Sequence, residues 1–149
     1  NADGAAAAQA ITRAAEGNCA IAQYYLGTLY QSGELVGFDD VKAIRWLTAA
    51  SDQNYPPAMN ALANAYALGR GVPEDDVRAA ELWRRAADLG HPGAMVNYAD
   101  ALERGTGTTQ NTGAAIAYYR RAAAQDDDAE ARDRARSALQ RLEATGAIK

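Results

Sequence analysis

The side chains that could do chemistry in this 149-residue chain are few and scattered. His91 is the only histidine and Cys19 the only cysteine. A hydrolase needs an acid, a base and a nucleophile that converge on one point, and no nucleophile or orienting carboxylate shares a motif with His91. We therefore expect His91 to be a turn residue before Pro92. We expect Cys19, at the start of a helix, to be a small buried side chain rather than a reactive thiol.

Three other motifs invite a ligand-binding interpretation. The run 126–128, three aspartates, lacks the alternating ligands and distal glutamate of a calcium loop, so it is predicted to be a solvated linker. The Gly-x-Gly pairs at 69–71 and 105–107 follow a helix rather than a strand and lack the third glycine of a dinucleotide fingerprint. Trp46 and Trp83 fall on an apolar helical face, which predicts core packing. These patterns predict no cofactor, no metal site and no enzyme, with a hydrolase kept as an alternative.

Composition and charge exclude several classes of protein. Hydrophobic residues make up 48% of the chain, which is incompatible with general disorder. The net charge is −4 and no Lys/Arg block occurs, so we expect no nucleic-acid partner. No apolar run approaches the roughly 20 residues that span a bilayer, so we expect no membrane insertion of this fragment. Because the chain begins at Asn1 without an initiator Met, we expect it to be a piece of a longer protein.

The residues around these motifs recur at a fixed interval of 36 residues. The recurring positions include Ala22, Ala58 and Ala94; Gly33, Gly69 and Gly105; and Ala43, Ala79 and Ala115. A period of this length is the signature of a solenoid, in which each unit buries its apolar face against its neighbours. Within a unit the apolar residues follow the i, i+3, i+4, i+7 spacing of one helical face. We therefore predict an all-α chain with two helices in each unit.

Turn residues predict where the helices begin and end. The first helix of each unit is predicted at about 19–32, 56–68 and 92–104, and the glycine that follows it is predicted to be left-handed. The second helix is predicted to start after Asp39/Asp40, Glu74/Asp75 and Asn111, whose side chains can accept from free N–H groups. Only the second and third loops keep a paired Gly-x-Gly. The first loop, residues 33–37, is free to follow another path.

The two ends of the chain are predicted to be single helices. Residues 3–17 carry the spacing of a second helix and are interpreted as a degenerate half repeat. A helix at about 128–143 repeats the apolar set of a first helix with one residue inserted, and its many arginines suit the polar outer side of a capping helix. The predicted organisation is a single domain, 1–149, made of 3–17, 18–53, 54–89, 90–125 and 126–149.

The chain resembles the Sel-one-like repeat (SLR) family, relatives of the tetratricopeptide repeat, over about residues 20–125. The motifs that carry the resemblance are Ala22, Leu26, Gly27 and Tyr30; Gly69, Gly71, Val72, Asp75 and Ala79; and Lys42, Ala43 and Trp46. The resemblance implies a right-handed superhelical α-solenoid of antiparallel helix pairs, with the first helix of each unit on the concave side. It also implies a scaffold or adaptor role, often in bacterial signalling or cell-envelope proteins. It favours a periplasmic or exported location over a cytoplasmic one.

The outward side of each first helix is the predicted binding face. At 100° per residue, Tyr24, Thr28 and Gln31 lie about 180–240° from Ala22, opposite the apolar side. Adding the corresponding residues of the next two units gives a stripe of nine: Tyr24, Thr28, Gln31, Asn60, Asn64, Ala67, Val96, Asp100 and Glu103.

This stripe is uncharged at its N-terminal end and acidic at its C-terminal end. It therefore predicts a protein or peptide partner, with Tyr24 as an aromatic anchor and a basic partner residue near Asp100 and Glu103. An ordinary solvated face, and a structural spacer within a larger chain, remain alternatives.

Overall fold

The structure is a computed structural model that describes residues 1–149 as eight α-helices without a strand. The helices are α1 (Ala2–Glu16), α2 (Ala20–Ser32), α3 (Asp40–Asp52), α4 (Pro56–Leu68), α5 (Asp76–Asp88), α6 (Pro92–Arg104), α7 (Thr112–Ala123) and α8 (Ala129–Ala144). They form two compact units, the first unit (Asn1–Asp75) and the second unit (Asp76–Lys149), each of which is longer than one 36-residue repeat. None of the helices is both long and apolar enough to cross a membrane.

The predicted ends of the first helices are confirmed to within one residue. Helices α2, α4 and α6 begin at Ala20, Pro56 and Pro92, and each ends at a left-handed glycine with φ of 75°, 64° and 70° in turn. Proline is tolerated at the start because the N–H that it lacks would have no partner within the helix. Glycine stands at the end because its missing Cβ allows a positive φ without steric cost.

Two of the three predicted caps of the second helices are also present, those of α3 and α7. The side chain of Asp39 accepts from the Lys42 amide at 2.9 Å, and that of Asn111 accepts from the Ala114 amide at 2.9 Å. Each cap satisfies one of the amides that the first turn leaves without a helical acceptor. The sequence therefore determines where α3 and α7 begin.

Small residues bring the helices of each unit close together. The recurring alanines of the second helices, Ala43, Ala79 and Ala115, are at most 1% exposed. In the first unit Ala15, Ala22 and Leu26 form a buried cluster against which Ile11, Tyr30 and Trp46 pack. This confirms the prediction that Trp46 is a core residue.

The loops between first and second helices lie against the start of the preceding second helix. A Cβ added at Gly71 would lie 2.5 Å from the backbone oxygen of Asp40, and one at Gly107 would collide with the backbone oxygen of Asp76. Both glycines have positive φ. The second glycine of each Gly-x-Gly pair is therefore required twice, for conformation and for close approach.

The first loop keeps the same geometry although it lacks the second glycine. Leu35 occupies the place of Gly71 and Gly107 and is itself left-handed, with φ of 61°. The residue that faces it is Gly4, where an added Cβ would lie 2.9 Å from a methyl carbon of Leu35. In the first loop the large residue, Leu35, is on the loop and the glycine, Gly4, is on the preceding helix, which is the reverse of the other two loops. The first loop therefore does not follow another path. Helix α1 occupies the position that a second helix has in the other repeats.

Helix α8 packs against both α6 and α7. Its arginines are not all on an outer side, which corrects that part of the expectation. Arg134 donates to the Asn97 side chain at 3.1 Å, and Arg141 donates to Glu103 at 2.6 and 2.9 Å. Both acceptors are on α6, so these two side chains extend towards the first helix of the third repeat.

Candidate functional site

The two residues with reactive side chains have separate structural positions. His91 is the N-cap of α6, and its Nδ1 accepts from the Ala94 amide at 3.1 Å. Burial lowers the pKa of His91, so the neutral ring that can accept this bond is favoured. The interpretation of His91 as a turn residue is confirmed. The expectation that Cys19 is buried is wrong: it stands outside the first turn of α2, at the N-cap, and is exposed.

The remaining sequence motifs have local roles. Asp128, the last of the three aspartates, caps α8 by accepting from the Ala131 amide at 2.9 Å. Asp126 is almost fully exposed and lies 3.8 Å from Arg132. The description of this run as a solvated linker therefore holds, with its last residue serving as a helix cap.

Six members of the predicted stripe lie in the first unit, and all six are partly exposed: Tyr24, Thr28, Gln31, Asn60, Asn64 and Ala67. The Thr28 hydroxyl donates to the Tyr25 carbonyl at 2.7 Å, within the helix. The backbone oxygen of Gln31 accepts from Arg70 at 3.5 Å. None of the six carries a charge, as the sequence predicts for this end of the stripe.

Tyr24 belongs to an aromatic group that sequence reasoning missed. Its ring centroid lies 5.5 Å from that of Tyr25 and 5.6 Å from that of Tyr55, at interplanar angles of 56° and 65°. Burial, together with the two neighbouring phenols, raises the pKa of Tyr24. The adjacent pair Tyr24-Tyr25 in α2 was a signal of this aromatic group that could be seen in the sequence. The contribution of Tyr55, which precedes α4, depends on how the turn brings it back to α2.

The other three members of the stripe lie in the second unit, two of them in a groove of about 770 Å³ between α6 and α8. Val96 and Asp100 line this groove, whereas Glu103 contacts Arg141, which lines it too. Val96 is only 4% exposed and so offers little surface. The remaining lining residues are Arg104, Tyr119, Glu130, Asp133, Arg134, Ser137, Ala138 and Arg141.

Glu103 joins three helices of the second unit. Besides the two bonds from Arg141, it accepts the hydroxyl of the buried Tyr119 at 3.1 Å. The Arg141 bonds, and to a lesser extent the Tyr119 bond, hold the pKa of Glu103 below its usual value, against the effect of burial. The Glu103 side chain is 18% exposed. It is therefore a structural link between α6, α7 and α8 as well as a member of the stripe.

The prediction that the C-terminal end of the stripe is acidic is corrected, because arginines pair with its two carboxylates. Asp100 pairs with Arg104 at 3.0 Å, and Glu103 pairs with Arg141. Among the residues that line the groove, three carboxylates face three guanidinium groups. The arginines of α8 could not be placed here from the first helices alone, since they belong to a helix that is one residue out of register.

Comparison with known proteins identifies the repeat. The sequence profile of the Sel1 repeat matches residues 20–55, 56–91 and 92–127. No curated protein sequence matches the chain. Several solved structures also match, and among them two are similar in both fold and sequence, whereas another shares the fold.

A Sel1 repeat protein from Oxalobacter formigenes is 31% identical, with a TM-score of 0.76, over 87% of this chain and 96% of the other. The protective antigen c5321 of uropathogenic Escherichia coli, which displays an SLR fold, is 28% identical with a TM-score of 0.77. That match covers 80% of this chain but only 26% of the antigen. Helicobacter pylori cysteine-rich protein B is 20% identical with a TM-score of 0.65, over 84% and 91% of the two chains.

Proposed function

Because the chain belongs to the Sel1 repeat family of α-solenoid proteins, whose members generally mediate protein–protein interaction, we propose that it is a non-enzymatic scaffold for a segment of another protein. The proposed binding surface is the outward side of the first helices, described separately for each unit. The groove between α6 and α8 is the observation that carries the proposal, because two residues of the predicted stripe line it.

In the second unit the groove combines apolar and charged side chains. Val96 and Tyr119 line the groove but are almost fully buried, so Ala138 is its more accessible apolar side chain. Asp100 is the member of the stripe that we assign to a basic residue of the partner. The Asp100–Arg104 pair is largely exposed, at 45% and 71% for the two side chains, so the Coulomb energy that holds it is small. A partner lysine or arginine can therefore replace Arg104 at little cost, whereas Glu103 is already committed to Arg141 and Tyr119.

In the first unit the anchor is Tyr24, supported by Tyr25 and Tyr55. Tyrosine contributes a large contact area with few rotatable bonds, which is why it is enriched at the energetic centres of interfaces. The uncharged residues Thr28, Gln31 and Ala67 extend the same surface along α2 and α4. This half suits an apolar or neutral part of the partner segment.

The non-enzymatic part of the proposal rests on the chemistry of the polar groups. The Nδ1 atom of His91 is bound to a backbone amide, and the chain has no other histidine to act as a base at neutral pH. At the groove Asp100 pairs with Arg104, and Arg141 pairs with Glu103. They form ion pairs rather than an activated nucleophile with its orienting base.

We extend the proposal to a domain of a larger bacterial protein of the cell envelope or of an exported or signalling system. The three structures compared above come from bacteria, and the E. coli one is described as a protective antigen.

Site-specific photocrosslinking tests the proposed surface. A photoreactive amino acid placed at Thr28 or at Asp100 should crosslink to a partner protein in a bacterial lysate. The same amino acid placed at Val41 of α3 or at Val77 of α5 gives the matched controls, because both valines are exposed on second helices of the same units.

We expect a discrete adduct from the first-helix positions and none, or far less, from the second-helix positions. Adducts that form only at Val41 and Val77 would move the binding surface to the other helices. If no position yields an adduct, the chain is a spacer and the scaffold proposal fails.

A further inference from the structure

A tyrosine patch on the first unit is formed by two exposed side chains, Ile21 and Tyr25, and two partly exposed ones, Tyr24 and Tyr55. Ile21 is 52% exposed and Tyr25 is 54% exposed. Ile21 lies three and four residues before the two tyrosines of α2 and so shares their side of the helix. Large aromatic and aliphatic side chains that remain exposed together commonly mark a site of protein interaction.

The repeat itself does not require these residues. At the corresponding places the second repeat has Pro57, Asn60, Ala61 and His91. The positions that hold the helices together behave differently, since Ala22, Ala58 and Ala94 keep their type in all three repeats. The tyrosine patch is therefore an addition to one repeat rather than part of the fold.

The tyrosine patch is uncharged and rich in hydrogen-bond donors. No ionised side chain belongs to it, and the groups that raise the pKa of Tyr24 are burial and the two neighbouring phenols alone. The hydroxyls of Tyr24, Tyr25 and Tyr55 make no hydrogen bond within the protein. Three O–H groups are therefore available to acceptors on a partner, beside three ring surfaces.

We propose that the tyrosine patch binds a proline-rich, extended segment of the partner. A polyproline II backbone makes no internal hydrogen bonds, so its carbonyl oxygens are free to accept from the tyrosine hydroxyls. Its pyrrolidine rings pack on aromatic surfaces, and its ordering costs little entropy because the chain is already extended.

Other occupants match the tyrosine patch less well. An amphipathic helix uses its own carbonyls internally and would present apolar side chains to the three O–H groups. A highly charged segment would lose hydration with no opposite charge to replace it. Charge and hydrogen-bond complementarity together select an uncharged segment with free carbonyls. This inference rests on the proposed scaffold function and names the partner chemistry of the first unit.

An NMR titration of the whole chain with an acetylated, amidated nonaproline tests the inference. The tyrosine ring resonances should shift in a saturable way, with Kd of about 0.1–1 mM, as suits a short peptide at a small site. A Gly-Ser peptide of equal length should leave them unchanged. Tyr25→Ala should weaken nonaproline binding about tenfold, and Tyr25→Phe, which keeps the ring and removes the donor, about two- to tenfold.

Phe38→Ala is the matched control, because Phe38 is an aromatic residue of the same unit that is 63% exposed and stands outside the tyrosine patch. It should bind nonaproline as the parent does. An absence of saturable shifts, an equal response to the Gly-Ser peptide, or unchanged binding by both Tyr25 variants would overturn the inference. If nonaproline fails while Thr28 and Asp100 still crosslink to a partner, the scaffold function stands and only the proline-rich segment is rejected.

Discussion

Replacing Gly71 by alanine should destabilise the protein much more than the same change at Gly69. Both glycines lie in the loop between α4 and α5, and both have positive φ, 73° and 64°. An alanine in this conformation destabilises the folded state by about 1–2 kcal/mol. Alanine also lowers the conformational entropy of the unfolded chain, which offsets that loss by about 0.4–1 kcal/mol. The backbone contribution is therefore a loss of about 0–1.5 kcal/mol at either position.

The two positions differ in what the added methyl group meets. At Gly69 the nearest atoms would lie 3.5 Å away, an ordinary contact, whereas at Gly71 the backbone oxygen of Asp40 would lie 2.5 Å away. Asp40 is the first residue of α3 and cannot yield as a flexible side chain would. Overpacking of this kind typically costs about 1–3 kcal/mol, so Gly71→Ala should lose about 1–4 kcal/mol in all.

Urea unfolding followed by circular dichroism measures the difference directly. The expected result is a lower midpoint for Gly71→Ala than for Gly69→Ala with the same slope, because the surface exposed on unfolding does not change. The two variants should differ by about 1–3 kcal/mol. A difference below about 0.5 kcal/mol, within the usual error of the extrapolation, would show that the loop does not lie against Asp40.

Two further predictions concern ionisable groups in the second unit. His91 has a lowered pKa in the folded protein, so the unfolded chain binds the proton more tightly, and stability should fall as pH drops below about 6.5. His91→Asn keeps a capping side chain and should remove that part of the pH dependence in thermal melts; an unchanged slope would contradict the assignment. Arg141→Ala removes the main cause of the lowered Glu103 pKa, so the pKa of this carboxyl should rise in a ¹³C NMR titration. Arg104→Ala should raise it less, and equal effects would refute the pairing.

The helices could be predicted from the sequence because each is encoded three times. An alanine that returns every 36 residues must occupy equivalent surroundings, and glycine or aspartate at a fixed offset then marks a helix end. The first helices begin and end within one residue of the prediction for this reason. The position of His91 at a turn could also be predicted, since Pro92 follows it.

What could not be predicted depends on contacts that the repeat does not encode. Leu35 takes a left-handed conformation that is uncommon for leucine, and it does so opposite Gly4, where a glycine replaces the aspartate of the other repeats. Arg141 and Glu103 are 38 residues apart, and α8 is one residue out of register with the repeat. The 36-residue period therefore does not predict that they pair. The contact between the rings of Tyr55 and Tyr24 could not be predicted either, because it depends on the path of the turn before α4 and not on the 36-residue period.

The face assigned to the partner is tested most directly by titration calorimetry with the protein recovered by crosslinking. Tyr24→Ala examines the first unit and Asp100→Lys the second, and Val77→Ala on the exposed side of α5 is the control. Each variant should first give the helical signal and melting profile of a folded chain. We predict that Tyr24→Ala and Asp100→Lys each raise Kd about tenfold or more, the loss expected for an anchor residue or a reversed charge, while Val77→Ala binds as the parent does. Parent-like binding by both Tyr24→Ala and Asp100→Lys would contradict a partner held by the first helices.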